Sequence, residues 1–321
     1  MSAAARRGGK GWPLIVIAVL GLGMIAAPAI FQMFHRAPLG AEMIKDFKPY
    51  MTTTRLAGFQ RELRQIDAGV SDTNTNVAHA LAGTGTAAHR RFDARYPGFA
   101  DFQDKWGAIY ADMKHLMDTI QSNRVNYLAM EGLPDFRLFP WFFVIPGVLI
   151  VLLAAAGLAS VRRRRAARWA IAGVAVALLV APFAIGLFGA GPKGAKMMTA
   201  FQTLETRQKV QTIQGYFATI AVGQGTLRLE LVPALRKDGL STSQIAARFP
   251  GMTTLNDRWI PILNDMTPMI GTMSDSVDNY QAVSALPSFT LFPWFFVAPG
   301  LLLAALALGA GRHRSATSLR T

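Results

Sequence analysis

Four runs of the chain, 12–34, 139–161, 169–188 and 291–311, contain no Asp, Glu, Lys, Arg or His, and each is 20 to 23 residues long. About 20 apolar residues at 1.5 Å rise cover a hydrocarbon core of ~30 Å. A buried helix of a water-soluble protein rarely runs that far without a charge. The pattern predicts four transmembrane helices separated by two long polar segments, 35–138 and 189–290, and one short link, 162–168.

Within the polar segments the apolar positions follow a helical period. Phe99, Phe102, Trp106, Ile109, Met113, Leu116 and Ile120 recur at three- and four-residue steps. Met252, Leu255, Trp259, Ile262, Met266, Met269 and Met273 do the same, continuing to Val277 and Tyr280. Each set is one stripe of a long amphipathic helix. An earlier helix is expected to start near Gly40 and near Gly194, and a shorter one to precede Tyr96-Pro97 and Phe249-Pro250. Ser241 and Gln244 have the spacing of a capping box. The stretch 69–88, rich in Gly, Thr, Asn and Ala, shows no clear period. The expected fold of each polar segment is a small up-and-down helical bundle domain.

The two halves repeat. Phe139-Pro-Trp-Phe-Phe-Val144 returns as Phe292-Pro-Trp-Phe-Phe-Val297, an offset of 153. Pro28 matches Pro182, Met43 matches Met197 and Phe47 matches Phe201, an offset of 154. Ala94-Arg-Tyr-Pro-Gly98 matches Ala247-Arg-Phe-Pro-Gly251, and Trp106 matches Trp259. Each unit holds two spans, so both copies enter the membrane the same way round. Such parallel repeats are related by a pseudo-two-fold axis along the membrane normal. The predicted class is therefore an all-α integral membrane protein: four transmembrane helices, two extracytoplasmic helical bundle domains and a parallel tandem repeat.

Charge sets the orientation. The net charge is +14, and segments 1–11, 162–168 and 312–321 hold eleven basic residues and no acidic one. All 19 Asp and Glu lie in 36–138 and 189–290, nearly balanced there by Lys and Arg. Short basic segments stay cytoplasmic. Both termini and the arginine link are thus expected inside, in a bacterial plasma membrane, with the polar segments outside. The basic excess is expected to meet anionic lipid headgroups at the cytoplasmic face. No recognition fold surrounds it, so nucleic acid is not an expected partner. The first span also resembles a signal peptide, with Arg6-Arg7 before it and Ala27-Pro28-Ala29 as a cleavage site. Its 23 residues are long for that. Its repeat equivalent, the third span, follows a cytoplasmic loop and is retained.

Candidate chemistry is sparse. The chain has no cysteine, which excludes disulfides, thiolate metal sites and thiol catalysis. Phe139, Pro140, Trp141 and Phe142, with Phe292, Pro293, Trp294 and Phe295, stand at the outer ends of two spans. They read as an aromatic belt at headgroup level or as a docking surface for a membrane partner or lipid. Asp104, Asp112, Asp257 and Asp265 hold equivalent places on the long helices. Paired carboxylates can do acid–base work or bind cations, but beside an apolar stripe they read as a solvated face. His79, His89 and His115 lack ligand spacing, so no metal is expected. No phosphate loop, dinucleotide fingerprint or nucleophile elbow occurs, and no cofactor is expected.

The alanine-rich composition, paired spans and Gly-Ala-x-Met opening after Pro28 and Pro182 resemble multi-pass membrane proteins of actinobacteria. That resemblance implies no activity. The span–bundle–span layout is also similar to bacterial sensory receptors, in layout alone. The expected function is non-enzymatic: an accessory or scaffold subunit of the envelope, binding another envelope protein or itself through its external domains. The alternative is a small transporter or lipid-handling protein, with substrate passing between the two halves. No span carries an ionisable residue, which disfavours ion coupling.

Overall fold

The computed structural model describes residues 11–312, and among them every regular element is helical. Arg6, Arg7, Lys10, Arg314 and Arg320, which carry part of the charge argument, lie outside the described residues. The chain divides into two compact units. One gathers the chain up to Lys45, Val125–Thr199 and the chain from Asp278; the other gathers Asp46–Arg124 and Ala200–Val277.

In the first unit α1 (Trp12–Ile30), the segment Phe136–Ala159 that includes α7 (Trp141–Ala159), and α8 (Arg164–Ala184) are long and apolar enough to cross a membrane. The fourth apolar segment forms α14 (Phe292–Arg312), apolar through Leu308. Pro13 in the first turn of α1 removes no hydrogen bond that the helix could have made. Leu14, Ile17, Gly21, Met24 and Pro28 form its buried face. Its other faces show Ile15, Val19 and Leu22 fully apolar to the surroundings. Phe183, 66% exposed, and Leu152, 61% exposed, do the same on α8 and α7. Apolar exposure on this scale marks a surface meant for hydrocarbon or a partner.

The four apolar helices pack as pairs, α1 on α7 and α14 on α8, joined by α7 against α8. Small residues let the backbones meet. A Cβ at Gly21 would stand 2.9 Å from the Gly147 carbonyl oxygen, and one at Gly147 2.8 Å from that of Gly21. Gly300 likewise sits against Leu179 and the Ala175 carbonyl. In lipid, where water drives no helix association, such close packing is what holds helices together.

The first span ends earlier than the apolar run. α1 stops at Ile30, Gln32 takes a left-handed φ of 53°, and α2 runs over Met33–Phe47. Gly186, with φ of 73°, makes the same break between α8 and α9 (Leu187–Phe201). Both breaks are closed by matching backbone bonds, Phe31 N–H to Ala27 O and Ile185 N–H to Ala181 O. The next helices therefore begin at Met33 and Leu187, before the Gly40 and Gly194 starts that composition suggests. A left-handed residue is a helix stop that hydropathy does not register.

The second unit holds α3 (Thr53–Asp72) and α10 (Arg207–Thr226), together with most of the 35-residue helices α6 (Pro97–Glu131) and α13 (Pro250–Ser284). α3 and α10 each end in a π-turn, Thr73–Val77 and Leu227–Leu231. Short helices follow: α4 (Ala78–Ala82) and α5 (Thr86–Arg95), α11 (Val232–Lys237) and α12 (Thr242–Arg248). Glycines 83 and 85, both left-handed, turn the chain between α4 and α5. Ser241 and Gln244 cap α12 reciprocally. The apolar stripes of α6 and α13 are buried along their length, from Phe99 at 0% to Met273 at 1% exposed.

Two separate domains are expected from the sequence; the polar segments instead fold together as one unit. The reason lies in crossed packing. Gly69 of α3 lies against Leu255 and Gly251 of α13, and Gly223 of α10 against Phe102 of α6. Each half's first long helix thus packs on the other half's second.

Candidate functional site

Two places in the chain bring functional residue types together, and each lies within one unit. The first is the aromatic motif. Phe139 and Phe292 point inward, 2% and 3% exposed, and their rings meet edge-on with centroids 6.0 Å apart. Phe143 and Phe296 meet behind them at a tilt, with ring centroids 4.8 Å apart. Pro140 and Pro293 are buried, and Phe142 and Phe295 are half-buried. Trp141 and Trp294 turn outward, about half exposed, each edge-on to a phenylalanine, Phe34 and Phe188. The motif is thus two-faced: its phenylalanines form a seam between the halves, and its tryptophans form the exposed aromatic surface.

Beside the seam lies an apolar cleft of about 240 Å³. Its walls are α1 (Val19, Leu20, Gly23, Met24, Ala27), Phe31, Phe143, Pro287, and α14 (Phe292, Phe295, Pro299). It exists because α1 meets α14 only briefly, while α7 and α8 pack extensively. A smaller chamber of about 40 Å³ is lined by Met43, Met130, Met197, Met198, Val283 and the stem of Arg36, among others. Met33 and Phe292 line both spaces and stand between them. Arg36 donates one guanidinium hydrogen to Ala285 O at 2.9 Å. None of these residues except Phe292 and Phe295 was a candidate from sequence; a cleft between distant helices leaves no periodic trace.

The second place is polar. Asp104 and Asp257 are exposed on the helix surface. Asp112 and Asp265 are not simply solvated. Asp112 on α6 accepts from Lys209 Nζ at 2.6 Å and from the Tyr216 hydroxyl, both on α10. Asp265 on α13 accepts from Arg55 of α3 at 2.9 Å, and Arg55 also reaches the Asp265 carbonyl at 3.0 Å. Hydrogen bonds from Lys209 and Tyr216 hold the Asp112 carboxyl below its ordinary range.

Glu62, 5% exposed, faces Asp265. Burial first, and the neighbouring carboxylate next, push its carboxyl up to about 7. Glu205, 3% exposed, is pushed up to about 8 by burial. Sequence reasoning passed over both acids. Glu62 had a signal, since it falls within the stripe Leu56, Phe59, Leu63 and Ile66. His89 lies 3.8 Å from Asp93, one helical turn away.

Taken together, the helices of membrane-crossing length and their apolar outer faces define an all-helical membrane protein. Comparison with protein-family models, with curated proteins and with solved structures finds no match.

Proposed function

We propose that this chain is a four-span, tandemly repeated protein of the bacterial plasma membrane that binds lipid in the cleft between its halves and carries out no reaction of its own. The observation that carries the reading is the 240 Å³ apolar cleft, walled by α1 of one half and α14 of the other. An apolar cavity of ~150 Å³ in a protein interior already accepts a benzene ring. A larger one flanked by exposed apolar helix faces has hydrocarbon as its natural occupant.

The finer architecture belongs to the same proposal. α14 is the fourth span, both termini are cytoplasmic, and the two halves are related by a pseudo-two-fold axis along the membrane normal. Supporting it, elements one offset apart correspond in kind and length. α6 and α13 each have 35 residues, α3 and α10 each have 20, and both π-turns have five. The test is extraction of the full chain in mild detergent followed by lipid analysis. Stoichiometric lipid retained through purification supports the reading; a lipid-free protein that moves no lipid between vesicles refutes it.

The second reading is the accessory subunit that engages an envelope partner or itself through the polar unit. It is favoured by Val222, Leu229 and Ile260, apolar side chains more than half exposed on that unit. Crosslinking in native membranes tests it, and recovery of the chain alone, without self-association, excludes it.

A further inference from the structure

We infer that the cleft and the methionine-lined chamber take one acyl chain of an anionic phospholipid, whose phosphate is met by Arg36. The inference rests on the lipid-binding reading and names the headgroup chemistry of that site. The cleft offers no polar side chain that would orient a ligand: its walls are Val19, Met24, Ala27, Phe143 and Pro299 among other apolar side chains. Arg36 is the one charged residue lining either space. Its stem walls the chamber, as long cationic side chains do where apolar surface ends.

The guanidinium spends one N–H on Ala285 O. No carboxylate among the described residues pairs with it. Five donors in a planar fork suit a phosphate, which they can bind bidentately. Arg36 follows the last residue of α1 by six positions, close after the end of the apolar helix. Met33 and Phe292 close the way from cleft to chamber. The flexible thioether of Met33 can yield to an entering chain. The site is single: the residue 154 positions on from Arg36 is Ala190, which has no charge to offer.

The experiment is native mass spectrometry of the full chain after exchange into phosphatidylglycerol or phosphatidylcholine. The wild type should retain one phosphatidylglycerol in clear preference to phosphatidylcholine. Arg36→Gln should lower that preference about tenfold, the scale of one charge-assisted hydrogen bond, and Arg36→Lys should restore part of it. Gly23→Leu places a side chain at the cleft wall, where a Cβ meets nothing within 4 Å. It should lower retention of both lipids. If Arg36→Gln leaves the preference unchanged while Gly23→Leu abolishes retention, the headgroup assignment fails and the lipid-binding reading stands. If Gly23→Leu leaves retention unchanged, lipid binds elsewhere and both fall.

Discussion

The phenol of Tyr216 donates its hydrogen to the carboxylate of Asp112. In the other half, 154 residues earlier, the place of Tyr216 is held by Glu62, and it faces Asp265. Both positions join a first helix of one half to a second helix of the other. Tyrosine carries a hydrogen to donate at any ordinary pH; glutamate carries one only when protonated. Burial supplies the proton, holding the Glu62 carboxyl near 7 against an ordinary 4.5. Asp265 keeps the charge, held below its ordinary value by Glu62 and Arg55. Arg258 of α13 and Arg55 of α3 are the cations that face the pair.

Stability should therefore depend on pH in a defined direction. Because the Glu62 value is raised on folding, its contribution is whole below about 4.5, falls as pH rises and is gone above about 7. Glu205 acts with the same sign, up to about 8. Asp112 and Asp265 act oppositely, and only in acid, where they lose their contribution as pH falls below the ordinary 3.8. The upper bound for Glu62 is roughly 3 kcal/mol, at about 1.36 kcal/mol per unit. Thermal melts from about pH 5 to about pH 8 should show the wild type losing stability. Glu62→Gln, neutral throughout, should flatten that slope, leaving the part due to Glu205. An unchanged slope in Glu62→Gln would mean that the pair shares no proton.

The crossed packing of the polar unit depends on glycines, and two kinds of glycine should answer differently to alanine. A Cβ at Gly251 would lie 2.6 Å from the Ala68 carbonyl oxygen, a backbone atom that cannot step aside. Gly251→Ala should destabilise by about 1–3 kcal/mol, the usual cost of overpacking. At Gly215 on α10 a Cβ meets nothing within 4 Å. Gly215→Ala should stabilise by about 0.5–1 kcal/mol, through helix propensity alone. Equal effects of the two substitutions in thermal unfolding would show that α3 and α13 do not meet as described.

Those glycines also show where sequence reading stops. The stripes from Phe99 to Ile120 and from Met252 to Met273 are legible because a helix buries every third or fourth residue. The apolar spans are legible because length and absence of charge suffice. A glycine such as Gly69 announces close approach, yet nothing in its surroundings says which helix approaches. α3 meets its own α6, where Trp106 donates to Asp67 at 2.8 Å, and also α13 of the other half. That second pairing is a long-range choice, so the sequence reads as two domains. The stop at Gln32 is hidden for a different reason. Its counterpart Gly186 is an ordinary helix breaker, but a glutamine with φ of 53° is imposed by its surroundings. Glu62 was visible as an acid inside an apolar stripe, but its partner Asp265 lies 203 residues away.

The orientation of the chain can be tested cleanly because it has no cysteine. The expectation is that 36–138 and 189–290 face outside, while 1–11, 162–168 and 312–321 face the cytoplasm. The seven residues of 162–168 include five arginines, and no acidic residue lies in any segment assigned inside. Carrying each of those charges outward opposes the membrane potential by roughly 2.3 kcal/mol per 100 mV, so inversion of the middle link is strongly disfavoured. Single cysteines at Ser71, Ser160, Ser241 and Ser318 introduce no background. With an impermeant thiol reagent on intact cells, positions 71 and 241 should label, and 160 and 318 only after permeabilisation. Labelling at 71 without 241 would contradict equal orientation of the two halves, and with it the parallel repeat. Labelling at 160 in intact cells would invert the arginine link and overturn the charge argument. A mature chain lacking residues 1–29 would show that the first apolar helix is removed as a signal peptide, and the helix that packs on α7 would then be absent from the mature protein.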